Sequence, residues 1–227
     1  MLDHTQFTCV HSQIIRDLVV KSDVLVENYI PNKLAELGLS YEDLSALNPR
    51  LVYCSITGFG TTGPYAARAA YDVAISAMGG LMHITGPQGG GPVKVGVAIT
   101  DVTTGLYAHG AIMAALLARH STGRGQHIDC SLLDCQVSAL VNIGANYLLA
   151  GSEGKRWGTA HASIVPYQAF ETANGHVIVG ALNDGQFRSL CKRFGRTDLM
   201  EDQRFTTNPL RVKHREQLID SLQVWLR

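Results

Sequence analysis

The chain has 227 residues, 46% of them hydrophobic and 17% charged, which is enough apolar side chain for a sizeable core and argues against disorder. Nineteen Lys and Arg balance nineteen Asp and Glu, so the basic surplus of a nucleic-acid binder is missing. No apolar run is long enough to span a bilayer, and the Met1 end carries the pattern of neither a signal peptide nor a transit peptide.

In chain order, residues 12–21 read as a short helix with Ile14, Ile15, Leu18 and Val19 on one face. Residues 23–27 follow as a strand apolar at its centre, as in a parallel sheet buried on both faces. Pro31 and Gly38 frame a short helix, and 40–47 makes another, with Ser40 and Asp43 spaced as a capping box. A second strand at 51–56 leads into a loop at 58–64, a helix at 72–78 and an irregular loop at 86–92. A long helix at 101–120 is lined with Gly105, Ala108, Gly110, Ala111, Ala114 and Ala115, a surface small enough for close packing. A strand at 127–131 hands over to a helix reaching Ala150, with Leu133, Val137, Leu140 and Val141 on one face. This alternation of strand and helix implies an open, mostly parallel α/β sheet with flanking helices, a Rossmann-like large domain over residues 1–150.

After Gly151 the pattern changes. Strands at 167–171 and 176–181 flank Asn174-Gly175, a type I′ hairpin signal. Asp184 caps a helix that ends near Gly195, and a last amphipathic helix spans about 210–226. Residues 151–158 read as a linker and 159–227 as a smaller α+β domain. The chain opens on a helix with no preceding strand and stops inside a helix, which reads as truncation at both ends.

The five cysteines (Cys9, Cys54, Cys130, Cys135 and Cys191) form no C-x-x-C, and the nine histidines have no ligand spacing. Buried thiols in a reduced compartment and no metal are expected. Gly58-Phe59-Gly60-Thr61-Thr62-Gly63 matches G-x-G-x-x-G, but no amphipathic helix opens at Gly63 and no acid lies about 20 residues on, so NAD is not expected. Asp134 sits where a strand passes into a helix N-terminus, a place that favours an anion. From pattern alone it is a nucleophile or the partner of Ser131 in a capping box. Asp72, beside Tyr71, reads as an N-cap, and Asp129 as a strand acid that faces a loop or packs a hydrogen bond rather than reacting. Gly158, Thr159, Ala160 and His161 lie in a small-residue loop, either a cover over a site or plain linker.

Several segments taken in order resemble the class III CoA-transferases. They are Glu27-Asn28-Tyr29-Ile30-Pro31, Asn48-Pro49-Arg50-Leu51-Val52-Tyr53, Gly58-Phe59-Gly60 through Gly63-Pro64, Tyr71-Asp72, Thr122-Gly123-Arg124-Gly125-Gln126 and Ser131-Leu132-Leu133-Asp134. The run Ile164-Val165-Pro166-Tyr167-Gln168-Ala169-Phe170 is similar to the succinate–hydroxymethylglutarate (glutarate) branch. The resemblance implies transfer of coenzyme A from succinyl-CoA or a similar thioester to a dicarboxylic acid such as glutarate. Coenzyme A is a substrate here, and no metal or NAD is needed. It implies Asp134 as the nucleophile, Asn28, Tyr29, Ile30, Tyr71 and Asp72 as coenzyme A contacts, and Gly158, Thr159, Ala160 and His161 as a loop over the site. It further implies an interlocked homodimer with no nucleic-acid or membrane partner, mitochondrial in a eukaryote and cytoplasmic in a bacterium. Dicarboxylates call for a cation, for which Arg68 and Lys94 are the candidates. Two rivals stand beside this reading: an α-methylacyl-CoA racemase, disfavoured by Tyr71 where that branch has histidine, and an inactive fragment that only binds or dimerises.

Overall fold

A computed structural model describes residues 4–226, with side chains from residue 11. The first elements are α1 (His4–Val19), β1 (Val24–Glu27), a 3-10 turn (Ala35–Leu37), α2 (Tyr41–Leu47) and β2 (Val52–Thr57). Next come α3 (Asp72–Met78), α4 (Leu81–Ile84), α5 (Ile99–Thr122), β3 (His127–Ser131), α6 (Leu132–Ala139) and α7 (Val141–Ala150). The remainder comprises β4 (Tyr167–Thr172), β5 (Gly175–Gly180), α8 (Asp184–Arg193), α9 (Thr197–Glu201), α10 (Asn208–Lys213) and α11 (Arg215–Leu226). The chain folds as two units, one of Met1–Thr85 with Pro92–Gly154 and one of Gly86–Gly91 with Lys155–Arg227.

In the first unit the strands form a parallel sheet in the order β1-β2-β3. The central strand β2 is buried along nearly its whole length, and its side chains alternate between two cores. Tyr53, with Leu51 just before the strand, joins Val19, Leu39 and Leu44 on the face covered by α1 and α2. Cys54 points the other way, against Ala108 of α5, Cys130 of β3 and Cys135 of α6. The edge strand β1 departs from the sequence reading: Val26 is 53% exposed and lines an open cleft with His11, Ser12 and Ile15 of α1.

The motif residues explain the joints. Ser40 and Asp43 form the full capping box at the start of α2. The Asn48 side chain donates to the carbonyls of Val19 and Ser22, fastening the end of α2 to the α1–β1 turn. Gly125 has no alternative, since a Cβ there would fall 1.9 Å from the Leu51 carbonyl oxygen.

Three expected helices change form. The segment after Pro31 is a set of turns ending in the 3-10 turn, closed by Gly38 at φ +66°. The helix towards Ala150 breaks at Val141, whose φ of +48° is strained for a β-branched residue and separates α6 from α7. The expected last helix is interrupted at His214, between α10 and α11.

In the second unit β4 and β5 pair as an antiparallel hairpin. Its two loop residues are Ala173 and Asn174, neither with positive φ, so the turn is not type I′. Asn183, rather than Asp184, caps α8 by accepting from the Gln186 N–H. Asp184 instead accepts from the Asn208 N–H and pairs with Arg211. Arg211 is fully buried among Phe187, Phe205 and their neighbours, with its guanidinium 4.4 Å from the Phe187 ring centre. Its Nε and Nη1 donate to the carbonyls of Val165 and Phe205. Nη2 lies 2.9 Å from Asp184 Oδ1 but makes no hydrogen bond, so that contact is an ion pair only.

Cys54, Cys130, Cys135 and Cys191 are free and buried, and burial pushes the thiols of Cys54, Cys130 and Cys191 up, away from the reactive thiolate. Cys9 lies outside the described side chains. No described helix is long and apolar enough to cross a membrane.

Arg211→Met keeps the volume and strands two buried carbonyls. Urea unfolding is expected to show a loss of about 3 kcal/mol in the second unit.

Candidate active site

The carboxyl ends of β2 and β3 carry the loops that build a cleft of about 550 Å³. The chain leaves β2 at Thr57 and closes a tight loop over residues 58–71. A Cβ on Gly58 would lie 2.2 Å from the Ala70 Cβ, so glycine alone lets the two ends of the loop touch. The glycine fingerprint is spent on this loop. The Gly60 N–H donates to Thr57 Oγ1 and the Thr61 N–H to Asp129 Oδ2, so neither is left for a phosphate. Asp129 is therefore a clasp for the loop, held by both the N–H and the hydroxyl of Thr61.

The cleft is lined by Asn28, Ile30, Tyr71, Asp72, Asp101 and, at one side, Arg68. Four of the five expected coenzyme A contacts are thus brought together. Tyr29 is the exception: it lines a separate cleft of about 400 Å³ beside α1, and its N–H is tied to Glu27. Arg68 stacks over the Tyr65 ring at 4.6 Å and has no ion-pair partner among the described residues. Lys94 is outside this lining and spends its ammonium on the carbonyls of Val95 and Gly96.

Asp72 does not cap its own helix, where Tyr71 occupies the N-cap position without a side-chain bond. Its buried carboxylate reaches α5 instead. Oδ2 accepts from the Thr100 N–H at 2.8 Å and the Asp101 N–H at 3.3 Å. Thr100 is also held by its hydroxyl, which donates to Gln136 Oε1 at 2.7 Å. The Thr100 proton is then used, so Ser76, at 2.8 Å, donates to Thr100. The Asp101 carboxylate accepts no hydrogen bond among the described residues. Burial, and then the Asp72 charge, raise its pKa above the usual carboxylate value; its open contact with solvent limits the shift.

Asp134 stands elsewhere. It is exposed on the first turn of α6 and is not part of the cleft lining, to which that helix contributes Leu132. The Ser131 hydroxyl accepts the Asp134 N–H at 3.0 Å, but no bond returns from the Ser131 N–H, so the carboxylate plays no part in capping. Two amides of this helix start are taken: Leu133 donates to the Gly58 carbonyl and Asp134 to Ser131. Asp101 is the acid that the sequence reading overlooked. The available signal was an acid in the first turn of the small-residue helix, with Gly105 one turn on, and Gly105 lines the cleft.

Gly158, Thr159, Ala160 and His161 belong to the second unit, where they are tied down. Gly158 N–H donates to Gly86, Ala160 N–H to Trp157 and His161 N–H to Tyr167, while Thr159 Oγ1 accepts from the Ala169 N–H. The Arg215 guanidinium stacks on Trp157 at 4.5 Å and donates to the carbonyls of His161 and Ala162.

The family model for CoA-transferase family III matches residues 10–227. Succinyl-CoA:glutarate CoA-transferases of Homo sapiens and Mus musculus are each 54% identical to the chain over 210 residues, covering 92% of it and 48% of their own length. The chain thus spans about half the length of the curated relatives it matches. The crystal structure of a CAIB/BAIF family protein from Brucella suis superposes with a TM-score of 0.83 at 47% identity, over 95% of this chain and 57% of that one.

Two outcomes follow from the geometry. Because folding raises the Asp101 pKa, its ionised form costs stability above the folded pKa, and that cost vanishes below the unfolded value near 3.8. Asp101→Asn is therefore expected to stabilise the protein slightly at pH 7, with the gain closing by about pH 3 in pH-resolved thermal melts. Arg215→Ala is expected to speed amide exchange and proteolytic cleavage at 158–162 by about tenfold, with the rest of the second unit unchanged.

Proposed function

We propose that this chain, which belongs to CoA-transferase family III, moves coenzyme A from a thioester such as succinyl-CoA to a dicarboxylic acid such as glutarate, with Asp101 as the residue that receives the acyl group. The names of its relatives support the two acids. The observation that carries the residue is the Asp101 carboxylate itself: unpartnered, made more basic than usual by burial and Asp72, and set in a cleft with Asn28 and Tyr71.

The chemistry suits such a group. The Asp101 carboxylate attacks the thioester carbonyl, the C–S bond breaks, and coenzyme A leaves as a thiolate, giving a mixed anhydride. The thiolate attacks the aspartyl carbonyl, releases the donor acid, and forms an aspartyl thioester. The acceptor carboxylate displaces the thiolate, which then attacks the new acyl carbonyl and restores Asp101. Each step exchanges a carboxylate for a thiolate or the reverse, so the thioester energy is retained without ATP. The opening amides of α5 do not serve the oxyanions, since those of Ile99, Thr100, Asp101 and Val102 are all bonded. The Asn28 side-chain amide, in the cleft and without a partner among the described residues, is the donor assigned to that task. Arg68 is assigned to the distal carboxylate of the dicarboxylic acid. The family relationship also supports a homodimer, and a mitochondrial setting in a eukaryote.

The test incubates the protein with succinyl-CoA, traps with hydroxylamine or borohydride, and maps the adduct by mass spectrometry. An adduct at Asp101, and a fall of at least about 10³-fold in turnover for Asp101→Asn, are expected. An adduct at Asp134 would move the role to that residue. Exchange of an α-proton on a branched acyl-CoA without any adduct would favour a racemase.

A further inference from the structure

We infer that Asp72 is a positioning residue for Asp101: its carboxylate anchors the first turn of α5 from a neighbouring helix and thereby fixes where the Asp101 side chain enters the cleft. The inference rests on the role proposed for Asp101 above, and it assigns Asp72 a task other than contact with coenzyme A.

A helix start needs partners for its first amides. The residue before α5 is Ala98, which has no side chain able to supply one. Local backbone serves two of the four: Ile99 donates to the Val97 carbonyl and Val102 to Ala98. The middle two, Thr100 and Asp101, have no local acceptor and go to Asp72 Oδ2. A carboxylate at this place also meets the positive end of a 24-residue helix. Asp72 is in turn rigidly placed, being buried at the first position of α3 and preceded by the loop that Gly58 closes.

The second hold comes from the side. Ser76 donates to Thr100 and Thr100 to Gln136, joining α3, α5 and α6 through one fully buried residue. Asp101 is thus located by its own N–H and by both the N–H and the hydroxyl of the residue before it. Its side chain remains free of hydrogen bonds among the described residues and open to the cleft, while the backbone beneath it is fixed. That combination is the structural form of preorganisation.

The experiment compares Asp72→Ala and Asp72→Asn with the wild type in two measurements. The first is amide exchange at Thr100 and Asp101, which needs no activity. Asp72→Ala is expected to speed it by about tenfold or more, while residues 106–122 stay protected, and Asp72→Asn, which keeps an oxygen acceptor, to restore most of the protection. The second is kinetic. Asp72→Ala is expected to lower kcat by about 100-fold, the scale of a nucleophile displaced by an ångström, with KM for the acyl-CoA within about threefold; Asp72→Asn recovers most of kcat. Unchanged exchange in both variants overturns the anchor. A rise in KM at constant kcat, equal in both variants, overturns positioning in favour of a coenzyme A contact. Should Asp72→Ala fail to fold, Asp72→Asn decides alone, since protected amides with a kcat as low as that of Asp101→Asn overturn the inference. A wild type that forms no adduct at Asp101 but shows the exchange pattern refutes the proposed function and leaves the anchor standing.

Discussion

A strand buried on both faces tolerates no shift in register, and β2 is such a strand. Its side chains alternate between two different cores, Tyr53 into the cluster under α1 and α2 and Cys54 into the cluster under α5 and α6. Slipping β2 by one residue would send the tyrosine into the space of a cysteine and the reverse. Because β1 and β3 pair with it in fixed register, the point where the chain leaves the sheet is fixed as well. Thr57 and Ser131 are partners in that register, so the loops after β2 and β3 begin side by side.

The cleft is a consequence of that shared exit. In open parallel sheets, ligands bind outside the carboxyl ends of the strands. Here one loop returns as α3 with Asp72 at its head, and α5 arrives with Asp101 in its first turn. The two acids meet with opposite assignments: Asp72 is buried and spends one oxygen on two amides, while Asp101 is open to solvent and spends none. Like charges near one another normally weaken a fold, and here one of the two carboxylates accepts from two backbone amides while the other stays open to solvent.

How much of this was legible in the sequence depended on the range of the interactions. The parallel α/β class followed from periodicity, and so did the box of Ser40 and Asp43, whose partners are three residues apart. The hairpin was legible but its turn type was not, because strand pairing chose Ala173 and Asn174 as the loop over the favoured Asn174-Gly175. The break at Val141 left no mark, since the helical period continues across it. The residues that line the cleft were hard to read for the same reason. Asp134 looked special because Ser131 lies three residues away, whereas the partners of Asp72 lie 28 and 29 residues further on and no local pattern joins them. Several motif residues that carry the family resemblance, among them Asn48, Gly58 and Gly125, hold joints of the fold.

Gly125 shows how narrowly such a joint is drawn. Its α-carbon lies against the Leu51 carbonyl with no room for a single methyl group, while Arg124 beside it is exposed. A library that randomised this connection would return glycine at one position and near-indifference at its neighbour, and the boundary would trace, residue by residue, where the sheet stops dictating composition.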